Sequence, residues 1–272
     1  MDFAQSFIGF LMDYGIDFRS VGNSFFFFDG GLEVRLVPLE EAVSAAAAGP
    51  SSGVSGRSAG CPVIHLYEDR WWGGGDVIRA RLLAHLGRRR SIFARKCEVV
   101  KLRPEEAAAF LDSYHLYGSA RCRYRYGLLY GGELVAVSTF SDSRPMPRIV
   151  GGNEVTAASY EWVRSASLPD CRICGGMGRL LKAFEDDVHP EDIMSYADCE
   201  WSDGAVYERL DFVRSAFVPP VEFVVDTGKW VRISCKKLGN DRAWRDAAGD
   251  MSAFPVIRNL GSIKYVRTLI GK

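Results

Sequence analysis

The chain has no excess of either charge: its 272 residues hold 34 Lys+Arg against 34 Asp+Glu, a formal net charge of +0. No global positive field therefore draws nucleic acid, and any such partner must be met by a local patch. No apolar run reaches the roughly 18 residues of a membrane span, so no membrane partner is expected. The seven cysteines are an odd number without framework spacing, which excludes a disulfide scaffold and suits a reducing, cytoplasmic setting. The opening FAQSFIGFLMDYG lacks a basic segment and carries Asp13 within its apolar stretch, which predicts no secretory leader. What the chain does have is 47% hydrophobic and 12% aromatic content, enough for one large or two ordinary domains.

Apolar spacing predicts a helix over Phe3 to Tyr14, ended by Gly15. SFFFFDGGLEVRLVPL reads as two strands around an Asp29-Gly30-Gly31 turn, with Phe25 to Phe28 half in the core. A small-residue tract, AVSAAAAGPSSGVSGRSAG, is expected to be a flexible insert over residues 43–60. CPVIHLYEDRWW reads as a strand and turn, and DVIRARLLAHL as a helix with residues 78, 82, 83 and 86 on one face. Within these, His65 and His85 are expected to be core or edge histidines.

CEVVKL is a strand and PEEAAAFLDSY a helix opened by Pro104. A hairpin turned at Gly131-Gly132 follows. In ARCRYRY the arginines Arg121, Arg123 and Arg125 alternate, so all three would leave one strand face, toward a phosphate backbone or plain solvent. Asp142 to Val150, rich in proline and arginine, reads as a mobile loop. Glu161 and Arg164 lie three apart on the next strand and project to opposite faces unless a bulge intervenes.

From Tyr160 to Phe212 the order is strand, glycine turn, helix, strand, helix, a βαβ unit of a locally parallel sheet. Gly175, Gly176 and Gly178 would leave backbone N–H groups uncovered at a positive helix end, where a phosphate or pyrophosphate can approach. Leu180, Leu181 and Phe184 supply the face that holds this helix on the sheet. Cys171 and Cys174 form a lone Cys-x-x-Cys, with no second pair to make a zinc site and a helix start close by that could favour a thiolate. No metal is expected.

SDGAVYERLDF resembles the end of a GNAT-superfamily N-acyltransferase: Tyr207, Glu208 and Phe212 match, and Asp211 stands where glycine is usual. GGMGRLL resembles the pyrophosphate loop of that superfamily, with Ile173 in place of the usual glutamine or arginine. HLYEDRWW, IFARKCEVVKL, YEWVR, SYADCEW and FPVIRNLGSIKY look like a phage and mobile-element family. In it a short-patch-repair-like nuclease domain, often labelled a homing endonuclease, precedes a GNAT-like domain. The second half also resembles the Mom group of phage DNA-modification proteins, at His115 with Gly118, Glu161 with Arg164, and a late tyrosine.

The resemblance implies an α/β fold. A GNAT-like mixed sheet with flanking helices would occupy residues 96–272, preceded over residues 1–95 by a small, degenerate restriction-endonuclease-like α/β region. Arg35 stands where that nuclease has a metal-binding aspartate, and an arginine cannot ligate a hard divalent cation. The implied activity is acyl transfer from acetyl-CoA or a related acyl-CoA to an amine, in the Mom-like case a nucleobase amine of DNA or another nucleic acid. Tyr207 would protonate the leaving thiolate, Glu161 or His115 would take the amine proton, and Asp198 would orient the substrate. Gly175, Gly176, Gly178 and Arg179 would hold the donor pyrophosphate, while Arg121, Arg123, Arg125 and Arg164 would follow nucleic acid. A second reading, from another class, is a DNA-binding accessory protein of a phage or mobile element that has lost both activities, and a third, disfavoured by Arg35, is an active homing-type endonuclease.

Overall fold

The structure, a computed structural model, describes residues 2–28, 31–48, 57–58, 61–240 and 254–270. Its contacts divide into two compact units. The first comprises residues 1–75, 197–205 and 216–263, the second residues 76–196, 206–215 and 264–272. A single cut near residue 95 does not separate them, because the helix that opens at residue 75 packs with the second unit and a late stretch of chain packs with the first.

In the first unit the Asp2 carboxylate accepts the amide of Gln5 at 2.8 Å and caps α1 (Phe3–Asp13). Gly15 leaves the helix at φ 57, a left-handed conformation that glycine adopts without strain. Strands β1 (Arg19–Val21), β2 (Ser24–Phe27) and β3 (Leu32–Val37) pair antiparallel, and alternation buries Phe25 and Phe27 while Phe28 is exposed. Phe7 of α1 meets Phe25 and Trp71 edge-on. Asp29 and Gly30 of the expected turn lie outside the described residues.

The expected flexible insert is partly helical. Alanine is the best helix former, and α2 (Leu39–Ala47) runs into the tract; residues 49–56 and 59–60 lie outside the described residues. Beyond it β4 (Arg57–Ser58) pairs with β5 (Cys61–Tyr67), which runs parallel to β3, giving the order β1-β2-β3-β5-β4. His65 on β5 is buried, as a core histidine should be. Then come α3 (Glu68–Gly73) and α4 (Gly75–His85), whose last residue His85 is exposed rather than in the core.

The second unit continues with β6 (Arg90–Phe93), β7 (Glu98–Lys101) and α5 (Pro104–Tyr114). The hairpin of β8 (Tyr124–Tyr130) and β9 (Glu133–Phe140) turns at Gly131 and Gly132, both at positive φ. Next are β10 (Arg144–Val150), β11 (Asn153–Ser167), β12 (Cys171–Cys174), α6 (Gly176–Val188), β13 (Asp192–Asp198), α7 (Ala205–Glu208) and β14 (Val213–Val218). The chain then makes β15 (Glu222–Asp226), β16 (Val231–Ser234), α8 (Cys235–Asn240) and β17 (Val256–Arg258) in the first unit, and returns as β18 (Ser262–Thr268).

The large sheet has the order β14-β18-β13-β11-β9-β8-β7, with β10 paired to β11 beside this path. It is a mixed sheet with flanking helices, the class that the sequence resemblance implies. β11 runs antiparallel to β9 and parallel to β13. Phe184 of α6 stacks on Phe140 of β9 at 4.0 Å. Val137, three residues before Phe140 and so on the opposite face, packs with Phe110 and Leu111 of α5. One helix therefore covers each face.

The segment read as a mobile loop is strand β10. It pairs with β11 from Arg144↔Ser159 to Val150↔Asn153, and Arg148 forks onto Asp192 at 2.6 and 2.8 Å. Pro145 and Pro147 are two apart, so both missing N–H groups fall on one edge of an edge strand, where they remove no ladder bond.

Candidate functional site

β11 is long enough to serve three neighbours in turn. Residues 153–159 pair with β10, 159–161 with β13, and 162–167 with β9. Its pairing with β13 ends at Glu161↔Met194, and beyond that point the two strands part. A hydroxyl fills the start of the gap: Ser195 Oγ of β13 donates to the Trp162 carbonyl at 3.1 Å and lies 2.9 Å from the Tyr207 hydroxyl. Tyr207 is held by rings, stacked on Tyr265 at 5.2 Å and edge-on to Trp162 at 6.2 Å and to Phe212 at 5.6 Å. Burial raises its pKa above the usual phenol value, opposed by the Ser195 bond and the Arg81 charge, so the phenol keeps its proton at neutral pH.

A bulge does intervene between Trp162 and Arg164, so Glu161 and Arg164 do not follow simple alternation. Glu161 pairs with Arg144 at 3.0 Å. Arg164 turns toward the end of α5, where its Nε donates to the Gly118 carbonyl at 3.2 Å and its guanidinium lies 6.0 Å from the centre of the Tyr117 ring. These two residues are thus committed to different neighbours.

His115 ends α5 with its Nδ1 accepting the Tyr117 amide at 3.1 Å. Burial and the charges of Arg164 and Arg81 lower its pKa to about 4, so the ring is neutral at physiological pH. The nitrogen that would take a proton is already engaged. His115 lines a cavity of about 480 Å³ with Asp76 and Arg81 of α4, Ser113 of α5, and Ser165 and Ser167 of β11, a volume in the range of small-molecule sites. Tyr207 does not line it, but the Arg81 charge acts on both Tyr207 and His115.

Gly175 starts α6 at φ 78 and is exposed, with nothing nearer to a built Cβ than the Ala94 methyl at 3.9 Å. The first intrahelical bond runs from the Arg179 amide to the Gly175 carbonyl at 3.0 Å. The amides of Gly176, Met177 and Gly178 therefore have no acceptor within the helix. Gly176 is buried because Ile173 and Leu128 close over it, and a Cβ on Gly178 would come 3.1 Å from Leu210, two residues before Phe212. The start of α6 and the α7 segment thus share one layer. Arg179 Nε is shielded from solvent and has no hydrogen-bond partner.

The three arginines do not share a strand face. β8 begins only at Tyr124, Arg121 and Arg123 precede it and are exposed, and Arg125 is spent on the carbonyls of Leu102 at 3.3 Å and Cys122 at 3.1 Å. Asp198 lies in the first unit, where its Oδ1 accepts the Glu200 amide at 3.0 Å in the turn after β13. Cys171 is buried, and its thiol is pushed up to about 11 by desolvation and Asp170, so proximity to a helix start does not make it a thiolate. Among the described residues no three or more His, Cys, Asp or Glu side chains are placed to hold a metal ion, and no helix is long and apolar enough to cross a membrane. Ser195 and Arg81 were not singled out in the sequence. Their only signals are a serine in the otherwise apolar and aromatic run IMSYA and a charge on the polar side of α4.

No family model and no curated protein sequence matches the chain. Solved structures do. A Bacillus subtilis acetyltransferase in complex with CoA is 14% identical with a TM-score of 0.36, over 64% of this chain and 100% of its own. A GNAT family acetyltransferase from Elizabethkingia anophelis with acetyl-CoA bound is 12% identical, TM-score 0.37, covering 64% of this chain and 99% of that one. The ribosomal-protein-S18-alanine N-acetyltransferase from Escherichia coli is 13% identical, TM-score 0.38, over 65% of this chain and 97% of its own.

Proposed function

We propose that this protein is a GNAT-like N-acyltransferase that moves an acyl group from acetyl-CoA, or a related acyl-CoA, to an amine. The observation that carries the reading is the chain of contacts from Tyr207 through Ser195 to the Trp162 carbonyl, 2.9 and 3.1 Å, across the point where β11 and β13 part. A protonated phenol stands there beside an opening between two parallel strands.

The residues present fit the donor. The amides of Gly176, Met177 and Gly178 at the head of a 13-residue helix suit a pyrophosphate, and Gly175 leaves its approach open. Such a donor supplies an activated thioester. The chain would need to hold it and the amine at attack distance with water excluded, where much of the rate of such reactions arises. Tyr207 gives its proton to the departing sulfur. Of the two candidate bases, His115 has its lone pair occupied by the Tyr117 amide, whereas Glu161 gives only Oε2 to Arg144, so Glu161 suits the amine proton better. His115 and Arg81 then shape the neighbouring cavity.

For the acceptor we favour a nucleobase amine, in line with the Mom-like sequence pattern. The exposed Arg121 and Arg123 are free to meet phosphates, whereas Arg125 and Arg164 hold backbone carbonyls. From the sequence resemblance we read residues 1–95 as a degenerate nuclease of a phage or mobile element, in which Arg35, paired with Glu41 at 2.8 Å, replaces the metal-binding aspartate.

Thermal-shift titration tests both ligands. Acetyl-CoA should raise the melting temperature of the whole chain, because a ligand of the native state stabilises it by mass action. A rise with DNA alone, steeply salt-dependent and with no response to acetyl-CoA, would support the binding protein without catalysis instead.

A further inference from the structure

Trp162 is buried, 4% exposed, yet its indole Nε1 has no hydrogen-bond partner. A buried donor left unpaired costs roughly 1–3 kcal/mol, and native structures retain such groups where a ligand, a water or a functional demand supplies the acceptor. The location narrows the choice. Trp162 is the first residue of β11 past its last pairing with β13, its carbonyl is already taken by Ser195 Oγ, and its ring stands edge-on to Tyr207. Phe140 stacks on its other side at 5.5 Å, so the indole has little freedom to swing away. Ser195 and Tyr207 bond to each other, and neither is the acceptor for the indole.

We infer that Trp162 is a further catalytic residue of this site, its indole N–H donating to the acyl carbonyl oxygen of the thioester. The inference rests on the transferase reading above and adds to it the group that meets the developing negative charge. In balanced form, the amine nitrogen bonds to the carbonyl carbon and its proton passes to Glu161. The carbonyl oxygen takes up the electron pair against the Trp162 N–H, then returns it as the carbon–sulfur bond breaks. Tyr207 gives its proton to the sulfur. A fixed donor in a water-excluded site is suited to this task because it needs no reorientation as charge develops.

The bland alternative is an N–H directed at the face of the Tyr207 ring, a weak contact with no catalytic content. The test is the tryptophan indole spectrum of the ¹⁵N-labelled full-length protein, with the Trp162 signal assigned by its loss in Trp162→Phe. Acetyl-CoA should shift that signal downfield, and CoA, which lacks the acyl carbonyl, should leave it in place. Trp162→Phe keeps an aromatic ring but removes buried volume along with the unpaired donor, so its melting temperature should fall modestly while the chain still folds. Its kcat should fall about 100-fold, the effect of one lost oxyanion donor, with KM for acetyl-CoA little changed. An indole signal that ignores acetyl-CoA while the wild-type protein binds it and turns over overturns the inference and leaves the transferase standing. If neither CoA nor acetyl-CoA binds, the transferase reading falls and takes this inference with it. Should Trp162→Phe fail to fold, the Trp162 indole signal is assigned by through-bond correlation to its own backbone among the six tryptophans of the chain, and the wild-type comparison of CoA with acetyl-CoA then decides.

Discussion

The Tyr207 hydroxyl lies 2.9 Å from Ser195 Oγ, and the same serine reaches back to the Trp162 carbonyl at 3.1 Å. β11, β13 and α7 are thereby joined by one buried side chain of β13.

Removing the phenol hydroxyl should slow chemistry without weakening donor binding. Tyr207→Phe is expected to lower kcat by roughly 100-fold, the lower range for a lost general acid, with the thermal shift produced by acetyl-CoA unchanged. An undiminished kcat would remove the acid from Tyr207.

Ser195→Ala should act on stability more than on the acid. It strands a buried carbonyl, a loss of about 1–3 kcal/mol, and loosens the phenol. Urea unfolding should give a lower midpoint with an unchanged slope.

Stability should fall on acidification between pH 6.5 and about 4. His65 and His115 both have folded-state pKa values lowered to about 4, His65 by burial and Arg35, His115 by burial, Arg164 and Arg81. In that window the unfolded chain binds protons that the folded chain refuses, so ΔG of unfolding rises with pH and is fully regained above 6.5. The buried His65 alone accounts for about 3 kcal/mol at the acid end by this linkage. His65→Gln should flatten the pH profile of the melting temperature over this range. The kcat/KM profile should show no acid limb near 6.5 from His115.

Arg232 ties together two buried carboxylates of the first unit. It forks onto Asp69 at 2.7 and 2.8 Å, donates to Glu200 at 2.6 Å, and lies 4.9 Å from the Tyr67 ring centre and 5.4 Å from that of Phe223. All three charged side chains are 1% exposed. Arg232→Met should destabilise by about 3–5 kcal/mol because it leaves two buried carboxylates unpaired. Adding Asp69→Asn and Glu200→Gln should recover part of that loss in the same denaturation assay.

The glycines at the head of α6 should respond differently to alanine. At Gly176 a Cβ would come 2.8 Å from Ile173 Cγ2 and 3.0 Å from Ile173 Cβ, an overpacking worth about 1–3 kcal/mol. Ile173→Ala in the same chain should relieve it. At Gly175 there is space, but φ is 78, so alanine should cost about 1 kcal/mol through backbone strain. Melting temperatures of the three variants decide.

The sequence made α1, α4, α5, α6 and the central βαβ unit legible because their periodicity and caps are local, whereas α2 hides in an alanine-rich tract that reads as a flexible insert. α1, α5 and α6 fall where apolar spacing, Pro104 and the glycines put them, and the Gly131-Gly132 hairpin follows from residues that tolerate positive φ. What was illegible depends on distant partners. Arg121, Arg123 and Arg125 look equivalent in sequence, yet only Arg125 finds two backbone carbonyls. β10 looks like a loop until Arg148 meets Asp192. Ser195 is unremarkable in IMSYA, since its importance comes from the gap where β13 leaves β11.

One consequence lies in how the chain is made. Tyr67 donates its hydroxyl hydrogen bond to the carbonyl of Arg258, 191 residues later, and the core of Val37, Ala42 and Tyr67 is completed by Val225 and Ile257. The segment from Val37 to Tyr67 must therefore wait for Val225 to Arg258 to emerge before this core can close. Contacts of such long range make folding slow. A ribosome-stalled or truncated product ending before residue 220 should be captured by chaperones or protease, even though it already contains every residue assigned here to catalysis.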